Sequence, residues 1–409
     1  MTSRNWALVA AMAAAGCTAN AATLTNAQAP DPGPAARHPK PSVATIASLR
    51  DSVQALLDHA RADSAFPGAF AVIGNHEGVL VEYGAGSLDW ATSPRPDENT
   101  LWDMASLTKV VGMTSAMMQL TEAGKVELDA PVQRYLPEFR GPGKERVTVR
   151  HLLTHSSGLP GWRPLYKETT TPTEARALAV ATALDTLPGV RMVYSDLGAI
   201  ILGQVVERVS GEQLDEYLTR HVFGPLGMTS TRYRPGTDLL PRIAPTEFDP
   251  WRQRQIRGEV HDENAFALGG VSGHAGLFST GHDVARLTRM YLNGGTLDGV
   301  RIVSAESIRR FTTVQDSALS NRALGWETPN GTNSAGHLLK RPAFGHTGFT
   351  GTSIWVDPSR DLFVILLTNR VNPTRQNLRI GGVRVALADL VVRVLDRSAP
   401  SSPSSPSPR

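Results

Sequence analysis

The chain has one cysteine, Cys17, and only six lysines in 409 residues. A lone thiol excludes any intramolecular disulfide. A strong excess of either charge is also lacking: the formal net charge is +3 and no Lys/Arg run occurs, so the pI near 9.1 gives no case for a nucleic-acid partner. Past the N-terminus no stretch is long and apolar enough to cross a bilayer, and no internal repeat is evident. What is present is 41% apolar content over a length that suits one large globular domain with room for an inserted subdomain.

The two ends differ from the rest. Residues 1–21 read as an export signal, with Arg4 as the positive head and an apolar stretch at 6–16 too short to span a membrane unaided. Cys17 follows Ala14-Ala15-Gly16, which resembles the lipobox of bacterial lipoproteins, while Ala19-Asn20-Ala21 is a rival cleavage site. The expectation is an exported, periplasmic protein, lipid-anchored to a bacterial membrane if Cys17 is acylated and secreted if it is not. Residues 22–42, rich in Pro and Ala, form a stiff tether, and the Ser/Pro tail at 398–409 has nothing with which to build a core.

Between them, 43–397 carries the fold. Helical spacing at 43–60 leads into strand-like runs at 69–73 and 79–83. A helix is expected from Ser106 through Leu120, ending at Gly124, and 128–226 reads as mostly helical, with helices near 173–184, 197–209 and 212–222. Thr280 with Asp283 announces a helix to Leu292. Strands at 344–349, 352–356 and 362–368 suggest an antiparallel meander, and an amphipathic helix at 378–395 packs back on it. The expected class is α+β, a central antiparallel sheet flanked by helices with an inserted all-α subdomain.

Lysine is rare enough that its placement carries information. Lys109 lies three residues after Ser106 in Ser106-Leu107-Thr108-Lys109, and on a helix positions i and i+3 share a face, so hydroxyl and amine can touch. A serine becomes a nucleophile when a base takes its proton, and a lysine held neutral by its surroundings can be that base. A helix N-terminus would favour this state and an oxyanion alike. In order along the chain follow Tyr194-Ser195-Asp196 and His346-Thr347-Gly348. The ordered triple resembles the active-site elements of the serine β-lactamase and DD-peptidase superfamily, nearest its class C branch of β-lactamases, esterases and penicillin-binding relatives. His151 to Leu159, the stretches at 244–279 and Leu366-Leu367-Thr368-Asn369-Arg370-Val371 are similar to the same branch.

The resemblance implies a β-lactamase/transpeptidase-like fold and acyl transfer without cofactor or metal. Ser106 would be the nucleophile, Lys109 and Tyr194 would share the proton traffic, and the backbone N–H groups of Ser106 and Phe349 would form the oxyanion hole. Asp196, His346, Thr347 and Gly348 would line the substrate. Either Lys109 or Tyr194 could be the base. Two departures move weight from β-lactam toward peptide or ester substrates: Asp196 stands where an asparagine amide would donate, and His346 replaces a cationic lysine. The implied function is an exported DD-carboxypeptidase or carboxylesterase acting on a peptidoglycan stem peptide or an ester. A β-lactamase is the alternative, and a non-turnover wall-binding or penicillin-sensing lipoprotein the alternative of another class.

Other residues have plainer readings. Asp196 precedes a helix and could be its N-cap, and His155 reads as a hydrogen-bonded structural histidine. His261, Asp262, His274 and His282 match no zinc spacing and are expected to shape a loop beside the pocket. Arg252, Arg254 and Arg257 are expected on a solvated face, with carboxylate binding as the alternative.

Overall fold

The computed structural model describes residues 40–91 and 93–398, so the export signal at 1–21, Cys17, most of the tether and the tail beyond Ser398 lie outside the described residues. Helix α1, Val43–Ala62, starts where the Ser42 hydroxyl accepts from the Thr45 N–H. Strands β1, Gly68–Gly74, and β2, Val79–Gly86, form an antiparallel hairpin, and the chain later returns with β6, Phe344–Thr347, β7, Ser353–Asp357, and β8, Leu362–Thr368. The five make one antiparallel sheet in the order β6-β7-β8-β1-β2, with Ala71 opposite Leu366 and His346 opposite Ile354. Every residue of β1 is buried because both faces are covered. Ala69, Ala71 and Ile73 pack with Leu49, Val53 and Leu57 of α1 and with Leu387 and Val391 of the last helix, α7, Ile380–Ser398. Phe70 and Val72 point the other way, into the core shared with the helical half.

That half contains α2, Thr114–Glu122, α3, Pro172–Ala181, α4, Asp196–Ser210, and α6, Gly281–Leu292. Thr280 caps α6 by accepting from Asp283 N–H, as its spacing suggests. A small sheet has no counterpart in the sequence reading: β3, Trp102–Asp103, and β4, Arg232–Tyr233, flank β5, Leu277–Ser279. Two- and three-residue strands leave no alternation to detect. The helix Ala305–Thr312 was also not anticipated.

The local structure at Ser106 differs from the expected single α-helix. Ala105–Leu107 is a 3-10 turn, Lys109–Met113 is π-helical, and only then does α2 begin. The contact between Lys109 and Ser106 thus spans the junction of the 3-10 turn and the π-helical turn rather than one regular helix.

Candidate active site

Ser106 follows a strained residue. Ala105 has φ +44, a left-handed conformation that costs an L-residue about 1 kcal/mol, and its N–H is held by Asp103 Oδ1 at 2.8 Å. The other Asp103 oxygen accepts from His261 N–H at 2.6 Å. Two threonines after β6 brace the same segment: Thr350 Oγ1 donates to Asp103 O at 2.7 Å and Thr352 Oγ1 to Met104 O at 3.1 Å. The turn that carries the serine and the strand end that carries Gly348 are thereby pinned together.

Lys109 is buried, with Nζ 3.0 Å from Ser106 Oγ, 2.7 Å from Asp196 Oδ1 and 3.1 Å from the His274 carbonyl. Burial by itself would pull the lysine pKa down, but the Asp196 carboxylate and Tyr194 outweigh it and leave Lys109 raised above its ordinary value. The neutral lysine considered from sequence is therefore not the state this site favours. Asp196 is not the N-cap of α4 either. Ser195 takes that role, its hydroxyl accepting from Gly198 N–H at 3.3 Å, and Asp196 is the first helical residue, free to turn its carboxylate to Lys109.

The Tyr194 ring lies 4.9 Å from Lys109 Nζ and 4.6 Å from the His155 ring, and its hydroxyl has no hydrogen-bond partner among the described residues. His155 is buried, and its Nδ1 accepts from Ser195 N–H at 3.1 Å, which fixes the segment that presents Tyr194. His346 is buried on β6 with Nδ1 against Thr347 O and Nε2 without a hydrogen-bond partner among the described residues. Burial first, then the charges of Arg322 and Lys109, hold both His155 and His346 well below the usual histidine pKa.

Gly348 lies just past the end of β6, which stops at Thr347 rather than Phe349. A Cβ on it would stand 2.1 Å from Thr352 Oγ1 and 2.6 Å from Met104 O, so only glycine allows this approach. Phe349 is exposed, stacked on His261 with centroids 5.7 Å apart, and Arg370 holds its carbonyl at 2.8 Å while lying 4.4 Å over its ring.

Ser106, Tyr194, His346, Thr347, Gly348 and Phe349 line one cavity of about 320 Å³, together with Glu327 and three arginines, Arg322, Arg370 and Arg384. Sequence reasoning missed the arginines. Arg370 and Arg384 bond to backbone carbonyls: Arg384 reaches Gly348 O at 2.7 Å and Thr352 O at 2.8 Å. Arg322 differs. It is 8% exposed, its guanidinium sits 5.2 Å over the Tyr194 ring, and its Nε and Nη1 have no partner among the described residues. A buried, unpaired guanidinium is costly unless something anionic completes it. Its only sequence signal was an arginine in a stretch without periodicity.

The basic residues singled out from sequence are used elsewhere. Arg252 pairs with Asp249 and bonds the Val260 and His261 carbonyls, Arg254 pairs with Glu259, and Arg257 bonds Ile243 O. Of the four loop residues, His274 and Asp262 pair with each other, whereas His261 pairs with Glu247 and His282 with Glu82 of β2.

A family model described as Beta-lactamase matches residues 53–388. A protein of Escherichia coli (strain K12) named "Putative D-alanyl-D-alanine carboxypeptidase" is 35% identical over 311 residues, 66% of this chain and 69% of the relative. Among solved structures, a class C β-lactamase superposes with a TM-score of 0.69 at 20% identity, covering 85% of this chain and 96% of the other. A family VIII carboxylesterase does so with 0.65 at 23%, covering 88% and 100%. At such identities these structures establish the shared α+β fold.

Proposed function

The chain belongs to the β-lactamase family of serine hydrolases, and from that premise we propose that it is an exported D-alanyl-D-alanine carboxypeptidase working through an acyl-enzyme on Ser106. The observation that carries the choice is Arg322, whose unpaired guanidinium nitrogens are buried in the wall of the Ser106 cavity. A D-alanine leaving group ends in a carboxylate that would complete it with charge-assisted hydrogen bonds, whereas a simple ester has no such group. Arg322 supplies the positive charge that a neutral His346 does not. The name of the Escherichia coli relative supports the same substrate, and the leader with Cys17 supports export and lipid anchoring.

In this scheme Lys109 stays an ammonium and does not take the serine proton. The Tyr194 oxygen takes it while Ser106 Oγ attacks the carbonyl carbon, with Lys109 Nζ 4.9 Å and the Arg322 guanidinium 5.2 Å from the tyrosine ring. The oxyanion sits between the Ser106 and Phe349 N–H groups, each such donor lowering the barrier by about 3 to 4 kcal/mol. The C–N bond breaks as Tyr194 returns the proton to the departing amine. Water then repeats the sequence, its proton to Tyr194 and its oxygen to the acyl carbon, to free Ser106. Asp196, engaged as a carboxylate with Lys109, has no proton to donate to an acylamino carbonyl, which weighs against efficient β-lactam hydrolysis.

The test compares a stem peptide ending in D-Ala-D-Ala with the same peptide as its C-terminal amide, and with a p-nitrophenyl ester. Release of D-alanine from the free acid at least about 100-fold faster than release of D-alaninamide from the amide, with the preference lost in Arg322→Gln, is expected. Ester turnover with no D-alanine released would make the protein an esterase instead.

A further inference from the structure

The acyl-transfer scheme uses none of Asp262, Ser272 and His274, although the His274 carbonyl accepts from Lys109 Nζ and Asp262 feels the Lys109 charge. A lysine ammonium has three protons; among the described residues Lys109 Nζ is ion-paired with Asp196 Oδ1, donates to Ser106 Oγ and, third, donates to the carbonyl of His274. The third is a backbone atom, so its position depends on what holds residue 274. The His274 imidazole is 1% exposed and gripped at both nitrogens, Nδ1 by Ser272 Oγ at 2.7 Å and Nε2 by Asp262 Oδ1 at 2.9 Å. Asp262 is itself anchored, as the N-cap of the short helix α5, Glu263–Ala267, accepting from Ala265 N–H at 2.8 Å.

The loop is also keyed to α4. Gly273 lies so close to that helix that a Cβ would stand 2.2 Å from Ala199 O and 3.1 Å from Gly203 N. Since α4 begins at Asp196, two of the three Lys109 acceptors are registered against each other through one glycine contact. Immediately downstream, Leu277 N–H donates to Thr108 Oγ1 and Leu277 O accepts from Met104 N–H, tying the loop to the nucleophile segment itself.

We infer that Asp262, Ser272 and His274 form a clamp that positions Lys109, by locking the His274 carbonyl as its third acceptor. The inference rests on the reading of Ser106 and Lys109 as the reactive pair. These are positioning residues, acting through Lys109 rather than on substrate. With the clamp broken the carbonyl is free to turn away, and the ammonium settles toward Asp196, its closest partner, and leaves Ser106. The charged and titratable groups around Lys109 are Asp196 and Tyr194 before and at the start of α4, Asp262 on the loop, and His155 and His346, both of which feel its charge.

The full-length protein is treated with a fluorophosphonate probe, and the second-order rate of Ser106 modification is followed against pH for Asp262→Ala, Asp262→Asn, Ser272→Ala and His274→Leu. A probe of this kind needs nucleophile activation but not the carboxypeptidase substrate. Labelling about 10- to 100-fold slower in Asp262→Ala and His274→Leu is expected, with Asp262→Asn, which keeps an oxygen acceptor for Nε2, near the unsubstituted rate. In His274→Leu the alkaline limb, where Lys109 loses its proton, moves to lower pH, a shift that a loss of fold stability alone does not produce. Unchanged rates in Asp262→Ala and His274→Leu overturn the clamp, as does equal slowing in Asp262→Ala and Asp262→Asn. If His274→Leu does not fold, the Asp262 pair and Ser272→Ala decide. Modification that persists in Ser106→Ala would instead remove the nucleophile assignment itself.

Discussion

Lys109 Nζ lies 2.7 Å from Asp196 Oδ1 and 3.0 Å from Ser106 Oγ, so the lysine is bound more closely to a carboxylate than to the serine beside it. The pair accounts for a buried lysine whose proton is held more tightly than usual. It also sets a position read as substrate wall or helix cap against the lysine as its counter-charge.

Replacing the carboxylate isolates that effect. Asp196→Asn leaves a buried cation without its counter-charge, at a cost of about 3 kcal/mol in unfolding free energy. With Asp196 gone, burial dominates and the Lys109 pKa falls. The alkaline limb of the acylation rate should therefore move to lower pH, and urea midpoints with a stopped-flow pH series check both parts.

Tyr194→Phe removes a hydroxyl that has no hydrogen-bond partner among the described residues. Thermal stability should be unchanged or slightly higher, because no satisfied bond is lost. The rate of serine acylation should fall by about 100- to 10,000-fold if that oxygen carries the proton. A variant that retains wild-type acylation would move the base back to Lys109.

Gly348→Ala places a methyl 2.6 Å from the Met104 carbonyl. The Thr352 side chain can rotate away from it, but the Met104 backbone is held by the strained turn before Ser106. The strand end must retreat, taking the Phe349 N–H with it. Loss of stability of about 1 to 3 kcal/mol is expected, together with at least about 100-fold lower turnover on any acyl substrate.

Acid should weaken the fold through His155 and His346. Both have folded pKa values pulled well below the ordinary value of about 6.5. The unfolded chain therefore binds protons that the folded one refuses, and stability is lost as pH drops below about 6.5 toward the depressed folded values. In His155→Asn, chosen because asparagine tolerates the φ of +56 at this position, part of that slope should vanish. Denaturant midpoints at pH 7.5 and pH 5 for both proteins measure it.

Much of the architecture was legible in local patterns. The β8 strand coincides with its run of β-branched and aromatic residues, α1 follows its apolar spacing, and α6 starts at its capping threonine. The contact between Ser106 and Lys109 was legible too, being a matter of three residues along one turn. The cap of α4 was misplaced by one residue. Serine and aspartate cap equally well, and the choice was made by Lys109, which draws Asp196 away.

The sequence by itself determined the class of fold and the pairing of Ser106 with Lys109, because both rest on periodicity and on motifs whose members lie within a few residues. Tertiary structure alone decided the charge on Lys109, the isolation of Arg322 in the cavity wall and the clamp on His274. Each depends on side chains that approach from distant parts of the chain, and the fields they exert are set by burial and distance, which no spacing along the chain encodes.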